Sequence, residues 1–168
     1  MAKEIPYIPY RSNVGILKKG VDRALSELAV ENVSEGMNCQ LYAGCVIRSL
    51  GFYMPRGYRS SEMYEDPSSV LEVVDCTKQS IQDGDILGFC KYDETDPKKI
   101  HVGVAKITAD GSVSVLHASR AAGKVVQNAL EDMFADANHA VLCMARRPKI
   151  RMFLPNQQAL AALGWFSV

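Results

Sequence analysis

Two hydrophobic rhythms divide this chain. In the first third, apolar positions recur every three to four residues; from Ile81 onward they come in short runs separated by turn residues. Leu17, Val21, Leu25 and Leu28 fall at helical spacing with Lys18, Lys19, Asp22, Arg23 and Glu27 between them, which predicts an amphipathic helix over residues 14–31. Gly36 breaks the chain before a second helix. There Asn38 suits the N-cap, Cys39 falls in the first turn, Ala43, Val46, Ile47 and Leu50 form the buried stripe, and Gly51 ends it. Ser60 or Ser61 is expected to cap one further helical turn, residues 62–65, which Pro67 stops.

The second rhythm predicts strands. Asp83-Gly84 signals a turn before the apolar run Ile86–Cys90, and residues 91–99, with Asp96-Pro97, read as a loop. Residues 100–107 and 113–117 read as the arms of a hairpin turning tightly at Asp110-Gly111. Val125-Val126 suggests a short strand, residues 129–137 a helical turn, and residues 140–146 a last strand. The first segment, with Pro6 and Pro9, reads as an extended arm, and the tail (Ala159, Leu160, Ala162, Leu163, Trp165, Phe166) is apolar enough to dock on the body. Helices first and an antiparallel meander afterwards make the expected class α+β.

At 168 residues and 18.5 kDa, with 48% apolar and 23% charged residues, the chain fits one soluble domain. Lys+Arg and Asp+Glu are both 19, so charge gives no argument for nucleic acid or an anionic membrane as partner. No apolar run approaches the roughly 20 residues of a membrane span, and the first ten residues lack the apolar core of a secretory signal. The expected setting is the cytoplasm, or delivery by a non-classical route. Five scattered cysteines argue against a disulfide framework, and without a Cys-x-x-Cys pair a zinc site has little support.

Cys39 carries the candidate chemistry. A cysteine opening a helix meets unpaired N–H groups and the positive end of the dipole, both of which favour a thiolate and a developing oxyanion. The first-turn donors would be the backbone N–H groups of Cys39 and Gln40. Far downstream, His101 and His117 lie in β-like segments, where one imidazole can take the thiol proton and the other can fix its tautomer. Counted from the Asp110-Gly111 turn the two are out of register, and a bulge or longer turn near Thr108-Ala109 is needed to bring them together. The plainer alternatives are a buried structural cysteine and two satisfied structural histidines. Cys45, Cys90 and Cys143 fit the structural reading better than Cys39 does. His139, in a polar turn, reads as a surface residue.

Four short blocks, in order, resemble the NlpC/P60 family of papain-like cysteine peptidases. They are Asn38-Cys39 opening a helix that ends Gly51-Phe52-Tyr53-Met54-Pro55-Arg56; Ile81-Gln82-Asp83-Gly84-Asp85-Ile86-Leu87-Gly88-Phe89; His101-Val102-Gly103-Val104; and Leu116-His117-Ala118-Ser119. The likeness covers roughly residues 36–147 of a single domain 1–168, with an arm and helix at 1–35 and a tail at 148–168. It implies a papain-like fold, helices packed on a central antiparallel sheet, with Cys39 as nucleophile, His101 as general base and His117 as its orienting partner. It also implies amide bonds of bacterial cell-wall peptides as substrate, with neither metal nor organic cofactor. Arg56, Arg59 and Arg120 are candidates to clamp a substrate carboxylate, or simply surface arginines. Ser119 joins the candidate substrate contacts, and Tyr7 or Tyr10 would supply an upstream tyrosine. Gln40-Leu41 replaces the family's Ser-Gly, and Asn38 its Asp. Lecithin:retinol acyltransferase-like proteins also carry Asn-Cys, but their histidine precedes the cysteine, and none does here. A catalytically inactive domain that binds peptide or protein, or self-associates through residues 159–168, is the reading from another class.

Overall fold

The computed structural model describes residues 4–7 and 37–166. The helix expected over 14–31, and Tyr10, lie outside the described residues. The described part of the chain is α+β: helices α1 (Cys39–Ser49), α2 (Ser60–Glu65), α3 (Leu130–Met133) and α4 (Gln157–Ala162), with strands β1 (Leu71–Val73), β2 (Ile86–Cys90), β3 (His101–Ile107), β4 (Val113–Ser119), β5 (Lys124–Ala129) and β6 (Val141–Pro148). The strands form one antiparallel sheet in the order β1-β6-β2-β3-β4-β5.

Both faces of this sheet are covered. On one face α1, through Leu41, Tyr42, Val46 and Ile47, packs against Ile86, Val102, Val104 and Leu116. On the other, Leu130 and Met133 of α3 and Val74 and Ile81 of a loop cover Leu87, Phe89, Ala105 and Val115. Burial on both sides explains why β2, β3 and β4 read as nearly unbroken apolar runs, since a sheet with one wet face would alternate.

Local expectations survive with instructive shifts. Asn38 is the N-cap of α1, its Oδ1 accepting from Leu41 N at 2.8 Å. Gly51, at φ +96°, turns the chain out of α1 so closely that a Cβ there would sit 2.1 Å from the carbonyl oxygen of Phe153. The cap of α2 is Arg59, one residue before the expected serines; its N–H donates to Glu62 Oε2 at 2.6 Å, while Ser60 is already inside the helix. The β3–β4 hairpin is also longer than a two-residue turn. Ile107 pairs with Val113, and Thr108 N donates to Ser112 O at 2.9 Å, leaving Gly111 at φ +83° in a wider loop.

The turn before β2 is pinned from below. Asp85 is fully buried, and its carboxylate accepts from Arg147 Nε and Nη2, each at 2.8 Å, and from Gln82 N at 2.8 Å. The tail folds back on its own chain. Leu160, Leu163 and Trp165 are buried, and the carbonyl of Leu163 accepts from the Tyr42 hydroxyl at 2.6 Å. The tail thus docks on the body as its apolar residues predict, with Phe166 half exposed beside Lys106. Among the described residues no helix is long and apolar enough to cross a membrane.

Candidate active site

Three neighbouring strands each contribute one polar side chain to a diagonal line. The β3–β4 register (Val104 opposite Leu116) carried on by one residue sets His117 opposite Gly103, and His117 pairs with Val126 on β5. His101 lies two positions to one side of that row on β3, and Asn128 two positions to the other side on β5. Side chains two apart on a strand share a face, so the line His101–His117–Asn128 crosses one face of the sheet. His101 Nε2 lies 2.8 Å from His117 Nδ1, and His117 Nε2 lies 2.8 Å from Asn128 Oδ1. The wider loop between Ile107 and Val113 supplies the longer turn this contact requires.

The hydrogen bonds fix the protons. An amide oxygen only accepts, so His117 Nε2 carries a hydrogen and, in the neutral ring, Nδ1 does not. His117 Nδ1 must then accept from His101 Nε2–H. That leaves His101 Nδ1 bearing a free lone pair, the tautomer a general base needs.

Cys39 reaches this end of the sheet at the first turn of α1. The β3–β4 pairs begin only at Val104–Leu116, which leaves the start of β3 open on that side. There the backbone N–H of Val102, next to His101, is close enough to the Cys39 sulfur to favour its thiolate. Burial pushes the Cys39 thiol up, while the N–H groups of Val102, Gln40 and Cys39 itself pull it down. His101 is held well below the ordinary imidazole range, first by burial and then by the neighbouring imidazoles of His117 and His139. His117 is lowered by burial and by His139, against the pull of Asn128. Both directions describe a resting site of neutral thiol and neutral imidazole. Among the described residues no hydrogen bond joins Cys39 to His101; catalytic contacts of this kind commonly tighten only on substrate.

The other expected residues divide. The backbone N–H of Gln40 pulls the Cys39 thiol down, but the Gln40 side chain is tied away, Oε1 accepting from Ser60 N at 2.9 Å. That bond sets Arg59, the residue before Ser60, beside the first turn of α1. Arg56 does not join this neighbourhood. It lines a separate cavity of about 730 Å³ together with Arg48, Phe52, Tyr53 and Phe153, near the far end of α1. Ser119 caps a turn, its Oγ accepting from Ala122 N at 3.1 Å. Of the two tyrosines, Tyr7 is at the site. Its backbone bridges Met37 and donates to Gly123 O at 2.7 Å, and its hydroxyl is pushed up by burial and the nearby Cys39, against the pull of Arg120.

The sequence pattern hides one site residue and misplaces another. Asn128 escapes it because the strand around Val125-Val126 reads too short; two more residues place it on the His117 face. His139 is not a surface histidine: it is part-buried, with its ring stacked on His101 at 4.4 Å and 22°. No signal in a lone histidine within a polar turn foretells that contact. Among the described residues no group of three or more His, Cys, Asp or Glu side chains is placed to hold a metal ion.

No family model matches the chain, and no curated protein matches it. Among solved structures it is similar to an N-acetylmuramoyl-L-alanine amidase from Bacteroides uniformis ATCC 8492, at 18% identity and a TM-score of 0.32. The match covers 48% of this chain and 35% of that one, so the chain spans about a third of that protein's length.

Proposed function

We propose that this chain is a cysteine hydrolase of amide bonds with a divergent NlpC/P60-like, papain-like fold, acting on peptides of the bacterial cell wall. One observation carries the chemistry: His101, linked through His117 to Asn128 by contacts of 2.8 Å each, stands beside Val102, whose N–H acts on a thiol at a helix start. Two satisfied structural histidines would need no such neighbour. The substrate class rests on the resemblance of the four sequence blocks to the family.

His101 Nδ1 takes the Cys39 proton as the sulfur attacks the amide carbon. The carbonyl oxygen, now an oxyanion, is held by the N–H groups of Cys39 and Gln40 at the start of α1. His101, doubly protonated, keeps its Nε2–H on His117 and gives the Nδ1 proton to the departing amine, leaving a thioester on Cys39. Water then loses a proton to His101 Nδ1 and attacks the thioester carbon. The acid product leaves and the thiol is restored. His117 and Asn128 hold the ring throughout, and Arg120, whose charge acts on Tyr7, and Arg59, next to the Ser60 that bonds Gln40, are the candidates to hold a substrate carboxylate.

The test is incubation of purified stem peptides with wild type, Cys39→Ala and His101→Ala, with products identified by mass spectrometry. Wild type is expected to cleave one amide bond, and each variant to lose at least ~10³-fold in kcat/KM. Cleavage that survives in Cys39→Ala would remove the mechanism. A wild type inert on every stem peptide, with Cys39 still reactive, would move the substrate to another amide or acyl compound.

A further inference from the structure

A hydrogen bond to His117 fixes one atom of the His101 ring but leaves the plane free to tilt about it. The structure supplies a second restraint. Downstream of α3, Asp136 accepts from Asn138 N at 2.8 Å and closes a single 3-10 turn, Ala137–His139, on the strand β2 side. That turn delivers the His139 ring onto the face of His101, with centroids 4.4 Å apart and planes inclined by 22°. His117 meets the same ring edge-on, at 4.9 Å and 84°. Phe89 of β2 backs His139 in turn, edge-on at 6.4 Å. The base is thus bracketed on its face and on its edge, and its open nitrogen is Nδ1.

We propose that His139 is a positioning residue: its imidazole, stacked on His101, holds the plane of the base and shuts one face of it off from water. The inference rests on the reading of His101 as the general base. It adds a residue that the four family-like blocks do not include.

The electrostatics agree with the geometry. The titratable groups that act on His139 are Asp136 on its own turn, with Oδ2 3.7 Å from Nδ1, His101 on β3 and His117 on β4; β2 presents the uncharged ring of Phe89. Burial keeps His139 below the ordinary imidazole range, against the pull of Asp136. At neutral pH the stack is therefore neutral on neutral. Once one ring is charged, the other resists a proton, because two like charges so close disfavour each other.

The test needs no substrate. In His139→Phe a flat ring remains; in His139→Ala and His139→Leu it does not. Each variant, checked for folding by its thermal transition, is followed by NMR titration of the His101 ring and by the rate at which iodoacetamide alkylates Cys39 at pH 7. We expect the two ringless variants to raise the His101 midpoint and slow alkylation by roughly 3- to 10-fold, as a misplaced base does, and Phe to restore most of that rate. Ringless variants that fold and match wild type in both readouts would overturn the proposal. Loss in Phe equal to that in Ala would overturn it too, since stacking would then not be the link. Should His139→Ala fail to fold, His139→Leu and His139→Phe decide alone. Because neither readout involves peptide, failure of the hydrolase reading would show separately, as an inert wild type in the peptide assay.

Discussion

A methyl group on Gly103 would meet Val115 Cγ1 at 2.5 Å and His117 Cβ at 3.1 Å. Glycine is therefore what lets His117 cross its neighbour strand diagonally to His101, and the site depends on an absent side chain as much as on those present. Gly103→Ala is expected to cost about 1–3 kcal/mol, the usual range for overpacking a core, and to break the His101–His117 contact. A urea titration and the NMR signal of His117 check the two parts separately. Asn128 acts one step further out. Asn128→Ala removes the acceptor that fixes the His117 tautomer, so kcat/KM should fall less than in His101→Ala while the fold keeps its stability within about 1–2 kcal/mol. At this scale the sequence is legible at Cys39, His101 and His117, the residues the proposed mechanism uses. It is silent at His139, whose stacking on His101 is a tertiary contact between a polar turn and a distant strand, which local pattern does not encode.

The elements themselves are legible mostly from period and punctuation, and the departures have physical causes. Helix α1 is plain in the sequence, cap included, because Asn38 and Gly51 mark its ends and its stripe faces one core. Strand β1 has no signature there: three residues long, with Glu72 and Val73 exposed, it has no period to detect and exists because Leu71 and its neighbours pair with β6 from 146 to 148. The hairpin turn reads too tight because Asp110-Gly111 is a strong local signal, whereas the Thr108–Ser112 pairing widens it. Two variants belong here. Asn38→Ala should lower stability by about 1 kcal/mol through the lost cap, and by loosening the first turn it should also slow reaction at Cys39. Asp85→Ala should cost more, about 3–5 kcal/mol, because it leaves the Arg147 guanidinium without its buried carboxylate. Denaturant midpoints of the two variants, measured side by side, test that order.

For the whole molecule, the site's burial links function to stability. His101, His117 and His139 all titrate below the ordinary imidazole range when folded. In the unfolded chain they return to about 6.5, so the unfolded state takes up protons first. The stability these groups contribute is complete above that value and is lost as pH falls through it, by up to about 1.4 kcal/mol per pH unit for each proton. Cys143, pushed up to about 12 by burial and by Cys90, and the raised Cys39 act in the opposite sense. Their contribution holds below the ordinary thiol range and declines as pH rises above it. Stability should therefore peak near about pH 7–8.5, between the unfolded imidazole and thiol values, and fall on both sides. Thermal midpoints from acid to alkaline pH would show it. A flat profile on acidification through the imidazole range would contradict the buried, neutral histidine cluster.

The pairing of Cys39 with His101 is the claim on which everything else stands, and it can be tested without knowing the substrate. Wild type and His101→Ala are treated with limiting iodoacetamide at pH 7, and the label is followed over time on each of the five cysteines by peptide mapping. If His101 takes the thiol proton, Cys39 is labelled in wild type at least ~10-fold faster than in the variant, while Cys45, Cys76, Cys90 and Cys143 react alike in both. Equal rates at Cys39 in the two proteins would mean that the imidazole does not serve this thiol, and the hydrolase account would fail with it.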